Sequence, residues 1–420
     1  MTRSNVLTAN PNHPSPLPFA IMDIPLTSLR SEFPILSNQT YLISNSLGAM
    51  PRSVFVRMHE FAETWASKGV KAWADEWWEM PITVGNEIAP LIGAREGEVS
   101  MHPNITTILA IILSCFEGIE NGRRTRIVCE EMNFPSLIYL LRNWTNTHGC
   151  ELALVPSRDR ISVDTQEMVD AIDDRTLLIP ISHVLFRSGY IQDIQAIIQK
   201  ARKVGAYVVL DAYQSVGILP VDVGRWNVDF LIGGVLKWLC GGPGGCFLYV
   251  RPDLSGTFRP RLTGWLAHAR PFDFDVSEIE YVHGARRFLN GTPAISCLYA
   301  ATEGPRMIRD VGIDRIRENS VRQTSMLIDK AYELGFGVRS PRDPDQRGGT
   351  VTLDVPHARA ITRALIERNI LVDFRAGSGI RIAPHFYNTD SEILDALATI
   401  REIIDTDEFE KHLNDRTTVT

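Results

Sequence analysis

The chain lacks paired cysteines and long apolar runs. Its six cysteines form no Cys-x-x-Cys motif and stand in no cluster with histidines. This pattern argues against a disulfide framework or a cysteine-based metal site, and it is typical of reduced thiols. The apolar run at residues 108–113 is far too short to cross a bilayer. We therefore expect neither a membrane span nor a bound metal.

The chain also lacks an excess of basic charge. Its 50 acidic and 43 basic residues give a net charge of −7 and an isoelectric point near 5.9. Proteins that bind nucleic acid usually concentrate basic residues on one face. Residues 1–19 are polar and proline-rich, unlike a secretory signal with its apolar centre. These features predict a soluble, cytoplasmic protein with no nucleic-acid partner.

Lysine is scarce, and one of the seven lysines stands in unusual surroundings. Lys237 follows the apolar, strand-like run 228–236 and precedes the glycine-rich turn 241–245, whereas the other six lie in polar or helix-like segments. Because an unpaired ammonium is costly to bury, a lysine in a partly apolar site loses its proton and becomes nucleophilic. The alternative is a lysine that extends its amine from a strand end into water. We predict that Lys237 forms a Schiff base.

A second strand-like segment, residues 206–210, ends on the acid Asp211. Pyridoxal 5'-phosphate needs a lysine for its aldehyde and a carboxylate that keeps its pyridine nitrogen protonated, so that the ring accepts electrons. Lys237 and Asp211 together therefore predict this cofactor. They also predict an amino acid as substrate, with the Lys237 amine as general base at the α-carbon.

Short apolar runs alternate with helical patterns along most of the chain. We predict strands at 125–129, 151–155, 176–181, 207–210, 230–232 and 247–250, and helices that include 134–143 and 191–204. This alternation predicts a largely parallel sheet covered by helices, with ligands at the carboxyl ends of the strands. The composition changes near residue 295. We expect an N-terminal arm (1–35), a large α/β domain that binds the cofactor (36–295) and a small C-terminal α+β domain (296–420).

Several motifs occur in an order that is similar to that of kynureninases. They are Tyr41-Leu-Ile-Ser-Asn-Ser-Leu-Gly48, Leu91-Ile-Gly-Ala-Arg-Glu-Gly-Glu-Val99, Asn133-Phe-Pro135, Ser182-His-Val184 with Ser188-Gly-Tyr190, Gly264-Trp265 with His268, and Asp373-Phe-Arg375. From residue 41 to residue 397 the chain resembles the class V branch of the fold-type I pyridoxal-phosphate enzymes, and within it the kynureninase-like group. The resemblance implies a seven-stranded, mostly parallel sheet and a homodimer with the active site at its interface.

The resemblance also implies roles for residues around the cofactor. Phe134 would stack on the pyridine ring, Thr106 and Thr107 would bind the phosphate at a helix start, and Gln214 would approach the phenolic oxygen. Each of these residues also has an ordinary explanation. Phe134 could be a core residue, the threonines could cap a helix, and Gln214 could be a surface amide.

Further roles would fall on more distant segments. Trp265 would contact the phosphate and border the substrate together with His268, and Thr292 would reach the phosphate of the neighbouring subunit. Arg381 matches the family's arginine for the substrate carboxylate. A guanidinium suits this role, since it binds a carboxylate through two parallel hydrogen bonds. The alternatives are half-buried packing for Trp265 and His268, a plain turn for Thr292 and a surface position for Arg381.

The sequence departs from the kynureninase pattern where the reaction is decided. Leu137, Leu185 and Leu236 stand where that family has polar residues, and Gln214 replaces a histidine, as in desulfurases and aminotransferases. Kynureninase-like cleavage of the side chain of a small L-amino acid is our leading hypothesis. A class V aminotransferase is the second, and a catalytically silent protein that binds the cofactor is the third.

Cysteine desulfurase activity is disfavoured by the position of the thiols. That reaction needs a nucleophilic thiolate, which the family places in the region before Arg381. No cysteine lies beyond Cys297, and this region offers Ser378 instead.

Overall fold

Buried apolar residues, many of them β-branched, build the strands at the centre of the molecule. The computed structural model describes residues 24–116 and 124–415. Its strands are β1 (Thr40–Tyr41), β2 (Val99–His102), β3 (Arg126–Glu130), β4 (Glu151–Val155), β5 (Thr176–Ser182), β6 (Tyr207–Asp211), β7 (Phe230–Gly234), β8 (Cys246–Val250), β9 (Gly337–Val338), β10 (Val351–Asp354), β11 (Ile370–Leu371), β12 (Asp373–Arg375) and β13 (Gly379–Ile382).

Seven of these strands form the main sheet in the order β2–β8–β7–β6–β5–β3–β4. Only β8 runs against the others. Alternate side chains point to opposite faces: Val208 and Leu210 join one hydrophobic core, and Val209 joins another. The predicted fold, with its mostly parallel seven-stranded sheet, is confirmed. The prediction located six of the seven strands and missed β2.

Helices cover both faces of this sheet, and others pack against strands of the C-terminal part. They are α1 (Ser53–Lys68), α2 (Met80–Ile88), α3 (Ile105–Ser114), α4 (Pro135–His148), α5 (Thr165–Ala171), α6 (Ile194–Val204), α7 (Val223–Trp226), α8 (Pro252–Ser255), α9 (Ile295–Val311), α10 (Ile313–Glu333), α11 (Ala358–Glu367) and α12 (Asp390–Asp405). In the part of the chain that the structure describes, no helix is long and apolar enough to cross a membrane.

Local sequence explains where these helices start and stop. The Asp193 side chain accepts a hydrogen bond from the Ala196 N–H at 3.3 Å and caps α6, and Gly205 ends the helix at φ 73°. Pro135 starts α4, where its missing N–H costs nothing, and Gly149 ends it at φ 62°. Helices were therefore predictable from caps as well as from periodicity.

A second, antiparallel sheet lies in the C-terminal part, with the order β12–β13–β10–β9. It has its own hydrophobic core, which includes Leu353, Ile380 and Ile400. The segment before the main sheet reaches this part, because β1 pairs in parallel with β11, and Arg30 forms an ion pair with Glu392 at 2.8 Å. The domain boundaries at 35/36 and 295/296 stay predictions, and residues 1–23 of the expected arm lie outside the described residues.

Candidate active site

A cavity of about 290 Å³ lies at the carboxyl ends of β5, β6 and β7. Ligands of α/β proteins bind at such a sheet edge. Ser182 and Asp211 are the last residues of β5 and β6, and Lys237 follows β7 in a turn. The cavity is lined by Pro103, Asn104, Ile105, Thr106, Phe134, Ser136, Ser182, Val184, Phe186, Asp211, Tyr213, Gln214, Leu236, Lys237, Pro243, Gly244 and Cys246.

The turn that carries Lys237 is held by a close contact with the segment 41–48. The Gly48 N–H donates to the Leu236 carbonyl at 2.9 Å, and a Cβ on Gly48 would lie 2.1 Å from the Lys237 carbonyl oxygen. Only glycine permits this approach. The motif that ends at Gly48 therefore positions the lysine, a role that the sequence pattern did not assign to it.

The Lys237 amine is poised to lose its proton. Burial and the positive charge of Arg381 lower the pKa of Lys237 to about 8, against the opposing attraction of Asp211. The amine lies 4.5 Å from the centroid of the Tyr213 ring and 5.7 Å from that of Phe134. It has no carboxylate within 4.0 Å among the described residues. At neutral pH an appreciable fraction of this amine is therefore uncharged.

Asp211 is a buried acid with one unused oxygen. Its Oδ1 accepts the Tyr213 N–H at 2.8 Å, whereas Oδ2 has no donor among the described residues. Burial raises the pKa of Asp211 to about 6, although the Tyr213 N–H and the charge of Lys237 both favour the carboxylate. Asp211 and Lys237 thus line one cavity as opposite charges that do not form an ion pair with each other.

Three more of the predicted residues line this cavity. Phe134 is 39% exposed and meets Phe186 edge to face at 5.3 Å. Thr106 lies in the first turn of α3, where the Asn104 side chain caps the helix through the Thr107 N–H at 2.8 Å. Thr107 itself does not line the cavity, and its N–H is used by this cap.

Gln214, the third, lies in the cavity wall with its side chain held from both ends. Its Nε2 donates to the Asn45 carbonyl at 2.9 Å, and its Oε1 accepts from the Trp238 indole N–H at 2.9 Å. One N–H of the amide remains for a ligand. Its predicted contact with the phenolic oxygen of the cofactor stays a prediction.

Arg381 lies beside the cavity, and the Nε–Nη2 edge of its guanidinium donates to the Asp373 carboxylate. Its Nε donates to Asp373 Oδ1 at 2.6 Å, its Nη2 to Asp373 Oδ2, and its Nη1 to the Phe186 carbonyl at 2.6 Å. A guanidinium has five N–H groups, so two remain, one on Nη1 and one on Nη2. A carboxylate can accept hydrogen bonds from these two groups. The resemblance assigned Arg381 to the substrate carboxylate but did not indicate its ion pair with Asp373 across the β12–β13 pairing.

Trp265, His268 and Thr292 do not line the cavity. Trp265 is 39% exposed and packs edge to face against Trp78 at 5.0 Å. The His268 Nδ1 accepts the Arg270 N–H at 2.8 Å, and Thr292 is exposed before α9. Their predicted roles depend on a neighbouring subunit and stay predictions.

Sequence reasoning missed several polar groups near the cavity. The Tyr213 ring covers the Lys237 amine, and its hydroxyl accepts from Cys246 Sγ at 3.7 Å. Glu130 is buried at the end of β3, where it accepts the Ser182 N–H at 2.9 Å and where burial raises its pKa to about 7. The signal for Tyr213 was its place two residues after Asp211, and that for Glu130 was a strand that ends on an acid.

Asn45 is the most unusual of the missed residues. It is fully buried, and neither its side-chain oxygen nor its side-chain nitrogen has a hydrogen-bond partner among the described residues. Its carbonyl accepts the amide of Gln214, which lines the cavity. Buried polar groups without partners are rare in native proteins, and one beside a cavity is a candidate contact for a ligand.

The residues of the cavity fit pyridoxal 5'-phosphate. A buried amine and a buried carboxylate without a mutual ion pair match a group that has an aldehyde on one edge and a pyridine nitrogen on another. Lys237 would hold the aldehyde, Asp211 the nitrogen and Phe134 the ring face, with Thr106 at the phosphate. The main sheet with this site at its carboxyl edge has the architecture of fold type I, and together with the family match of residues 40–401 it defines a pyridoxal-phosphate-dependent enzyme.

Comparison with known proteins gives the family. Residues 40–401 match the model described as "Aminotransferase class-V", and the chain belongs to this family. A kynureninase of Geobacillus thermodenitrificans (strain NG80-2) is 30% identical over 412 residues, which cover 94% of this chain and 95% of that protein. A kynureninase of Pseudomonas fluorescens is 31% identical, with 90% and 92% covered. An uncharacterised aminotransferase of Bacillus subtilis (strain 168) is also 31% identical, with 88% and 96% covered.

Solved structures share the fold. The apo cysteine desulfurase of Thermococcus onnurineus NA1 superimposes with a TM-score of 0.80 at 22% identity, over 90% of this chain and 98% of that one. The cysteine desulfurase of Escherichia coli gives 0.79 at 18% identity, over 91% and 99%. At such identities these likenesses establish the fold alone.

Proposed function

We propose that this enzyme cleaves the side chain of a small L-amino acid in the manner of kynureninases. The observation that carries the proposal is the match of nearly the whole chain to proteins named kynureninase, together with Lys237 and Asp211 in one cavity. The order of motifs along the chain supports the same reaction.

Pyridoxal phosphate, when bound, would supply an electron acceptor for the α-carbon of the amino acid. Lys237 then moves the proton at that carbon. Its pKa of about 8 suits a general base near neutral pH. The ring of Tyr213, 4.5 Å away, covers the amine and limits the access of water.

The neighbouring residues hold the reacting groups in place. Asp211 provides the negative charge that the pyridine nitrogen requires, and Phe134 provides a flat face for the ring. The two free N–H groups of Arg381 bind the α-carboxylate of the substrate, with the Asp373 ion pair fixing the guanidinium.

Transamination is a second candidate reaction. The Bacillus subtilis relative is named an aminotransferase, and Leu137, Leu185 and Leu236 remove polar groups that the kynureninase pattern has at these positions. Desulfuration has less support, although the solved structures with this fold include desulfurases. Among the described residues, Cys246 is the one cysteine that lines the cavity, and burial raises its pKa to about 11, which disfavours the thiolate.

Product analysis distinguishes these reactions. The purified, cofactor-loaded protein is incubated with a panel of L-amino acids that includes L-kynurenine, with and without a keto acid. Release of alanine without a keto acid supports side-chain cleavage. Products that need a keto acid for turnover support transamination and overturn the proposal. A protein that exchanges no α-proton with any amino acid is a silent cofactor-binding protein.

We also propose a homodimer whose interface completes the site. Trp265, Phe272 and Phe274 form a cluster of exposed aromatic side chains, and Phe272 and Phe274 are 61% and 71% exposed. Large exposed apolar patches mark interaction surfaces. Light scattering after size exclusion should give twice the chain mass of 47.1 kDa. A monomeric active holoenzyme would exclude the dimer.

A further inference from the structure

Two arginine side chains lie near one ring at the edge of the cavity, and a third is linked to them through a shared carboxylate. Phe186 lines the cavity, and the guanidinium carbons of Arg187 and Arg381 lie 5.5 and 6.0 Å from its ring centroid. Arg375 joins them through Asp373, which it contacts at 3.0 Å. We call Arg187, Arg375 and Arg381 the arginine cluster.

The arginine cluster carries more positive charge than the protein neutralises. Within the described ranges 24–116 and 124–415, Asp373 is the one carboxylate within 4.0 Å of any of the three guanidinium groups. Asp373 balances one of the three charges, and the α-carboxylate of an amino acid would balance a second. One positive charge then remains beside the bound substrate.

Arg187 is the member that remains unbalanced. Its guanidinium has no hydrogen bond or ion pair among the described residues, and it is partly buried against Phe186. Its main chain is fixed, because the Thr352 hydroxyl donates to its carbonyl at 2.6 Å. A partly buried guanidinium without an anion is suited to bind one from a ligand.

We propose that the substrate is an amino acid with a second carboxylate on its side chain, bound by Arg187, while Arg381 binds the α-carboxylate. The guanidinium carbons of Arg187 and Arg381 lie 5.5 and 6.0 Å from the Phe186 centroid, so they are at most about 11.5 Å apart. The two carboxylates of a four- or five-carbon amino acid bridge such a span with hydrogen bonds of about 2.8 Å at each end. This substrate class rests on the proposed function, which assigns the α-carboxylate to Arg381. It makes kynurenine, with its uncharged side chain, a weak ligand.

Two amino acids without an α-hydrogen test this specificity without turnover. 2-Methylaspartate carries the second carboxylate, and 2-aminoisobutyrate lacks it. Calorimetric titration of the cofactor-loaded protein gives both dissociation constants. The wild type should bind 2-methylaspartate about tenfold or more tightly than 2-aminoisobutyrate. Arg187→Gln should abolish the difference without changing the binding of 2-aminoisobutyrate, and Arg187→Lys should restore part of it.

Arg342→Gln is the matched control, because the side chain of Arg342 is 77% exposed and lies 3.7 Å from Asp329. This variant should keep the wild-type preference. Equal affinity of the wild type for both ligands would overturn the proposal. An equal loss for both ligands in Arg187→Gln would also overturn it, since Arg187 would then have a packing role. The result is independent of the reaction: a dicarboxylate preference with transamination products refutes only the proposed function.

Discussion

The charged residues at the two ends of the main sheet differ in whether they form ion pairs. At the amino ends of β6 and β7 lies an open cleft of about 880 Å³, much larger than the cavity of about 290 Å³ at the carboxyl ends. In the larger cleft, Arg251 contacts Asp229 at 2.9 Å and Asp253 at 2.7 Å. In the smaller cavity, Lys237 and Asp211 form no ion pair with each other.

This contrast shows that charge pairing marks the site better than size does. Charges that are paired within the protein are already neutralised and have little left for a ligand. Charges that are buried without partners destabilise the cofactor-free fold, so their presence indicates a bound group that compensates them. The following experiments test whether the two ends differ in this way.

Replacement of Lys237 should have the largest effect. Lys237→Ala should lose the visible absorption that pyridoxal phosphate gives on a lysine amine, and activity should fall by about 1000-fold or more because the general base is removed. Absorption spectra and initial rates measure both effects. Lys203→Ala, an exposed lysine near the other end of the sheet, is the control and should behave like the wild type. Retention of the absorption band in Lys237→Ala would contradict the assignment.

Removal of the acid that neutralises Arg381 should be the next largest effect. Asp373→Asn leaves Arg381 and Arg375 without a counter-charge, and breaking such a buried pair costs about 3–5 kcal/mol. Urea unfolding measures the change. Asp253→Asn breaks a pair in the large cleft, where the Asp253 side chain is 65% exposed, and should cost less than about 1 kcal/mol. Similar losses in both variants would show that the buried Asp373 pair contributes no more stability than the exposed pair of the large cleft.

Asp211 should make the cofactor-free protein sensitive to pH. Burial raises its pKa from 3.8 to about 6, so the native state binds more protons than the unfolded state between these values. The stability that the protonated form contributes is complete below about pH 4 and is lost as the pH rises through about 6. The loss is about 3 kcal/mol.

Asp211→Asn removes this titration. Its cofactor-free form should be more stable than the wild type at neutral pH and similar to it near pH 4, as urea unfolding at several pH values would show. Activity should nevertheless fall by about 100-fold or more, because the negative charge is gone. A variant that is destabilised at neutral pH would show that the Asp211 carboxylate is compensated by the protein itself.

The positions of the site residues in the sequence explain how much of the site was predictable. Strand ends are visible in the sequence, so Lys237 and Asp211 can be placed at one edge of a parallel sheet from the pattern of apolar runs. Phe134, Gln214 and Thr106 follow from the family motifs in the same way. The fold was predictable because hydrophobic periodicity determines strands and helices.

Other parts of the site depend on contacts that periodicity does not describe. The pairing of Arg381 with Asp373 depends on the register of β12 and β13. The segments that carry Trp265, His268 and Thr292 are short 3₁₀ turns and irregular chain, whose paths depend on packing. Arg187 directly follows the apolar residues 184–186, and nothing in that pattern indicates that its guanidinium lies near the Phe186 ring.

The smallest effect should come from Asn45, and it separates a ligand site from ordinary core. Asn45 and Asn133 are both buried, but the Asn133 side chain accepts the Phe134 N–H at 2.7 Å and donates to the Pro180 carbonyl at 3.3 Å, whereas that of Asn45 has no partner in the described chain. Asn45→Leu should therefore stabilise the cofactor-free protein by about 1–2 kcal/mol, and Asn133→Leu should destabilise it by about 1–3 kcal/mol. Urea unfolding of the two variants provides the comparison. If Asn45→Leu also weakens the binding of 2-aminoisobutyrate, the amide of Asn45 belongs to the site. If both variants lose stability equally, the Asn45 side chain is hydrogen-bonded within the protein and does not belong to the ligand site.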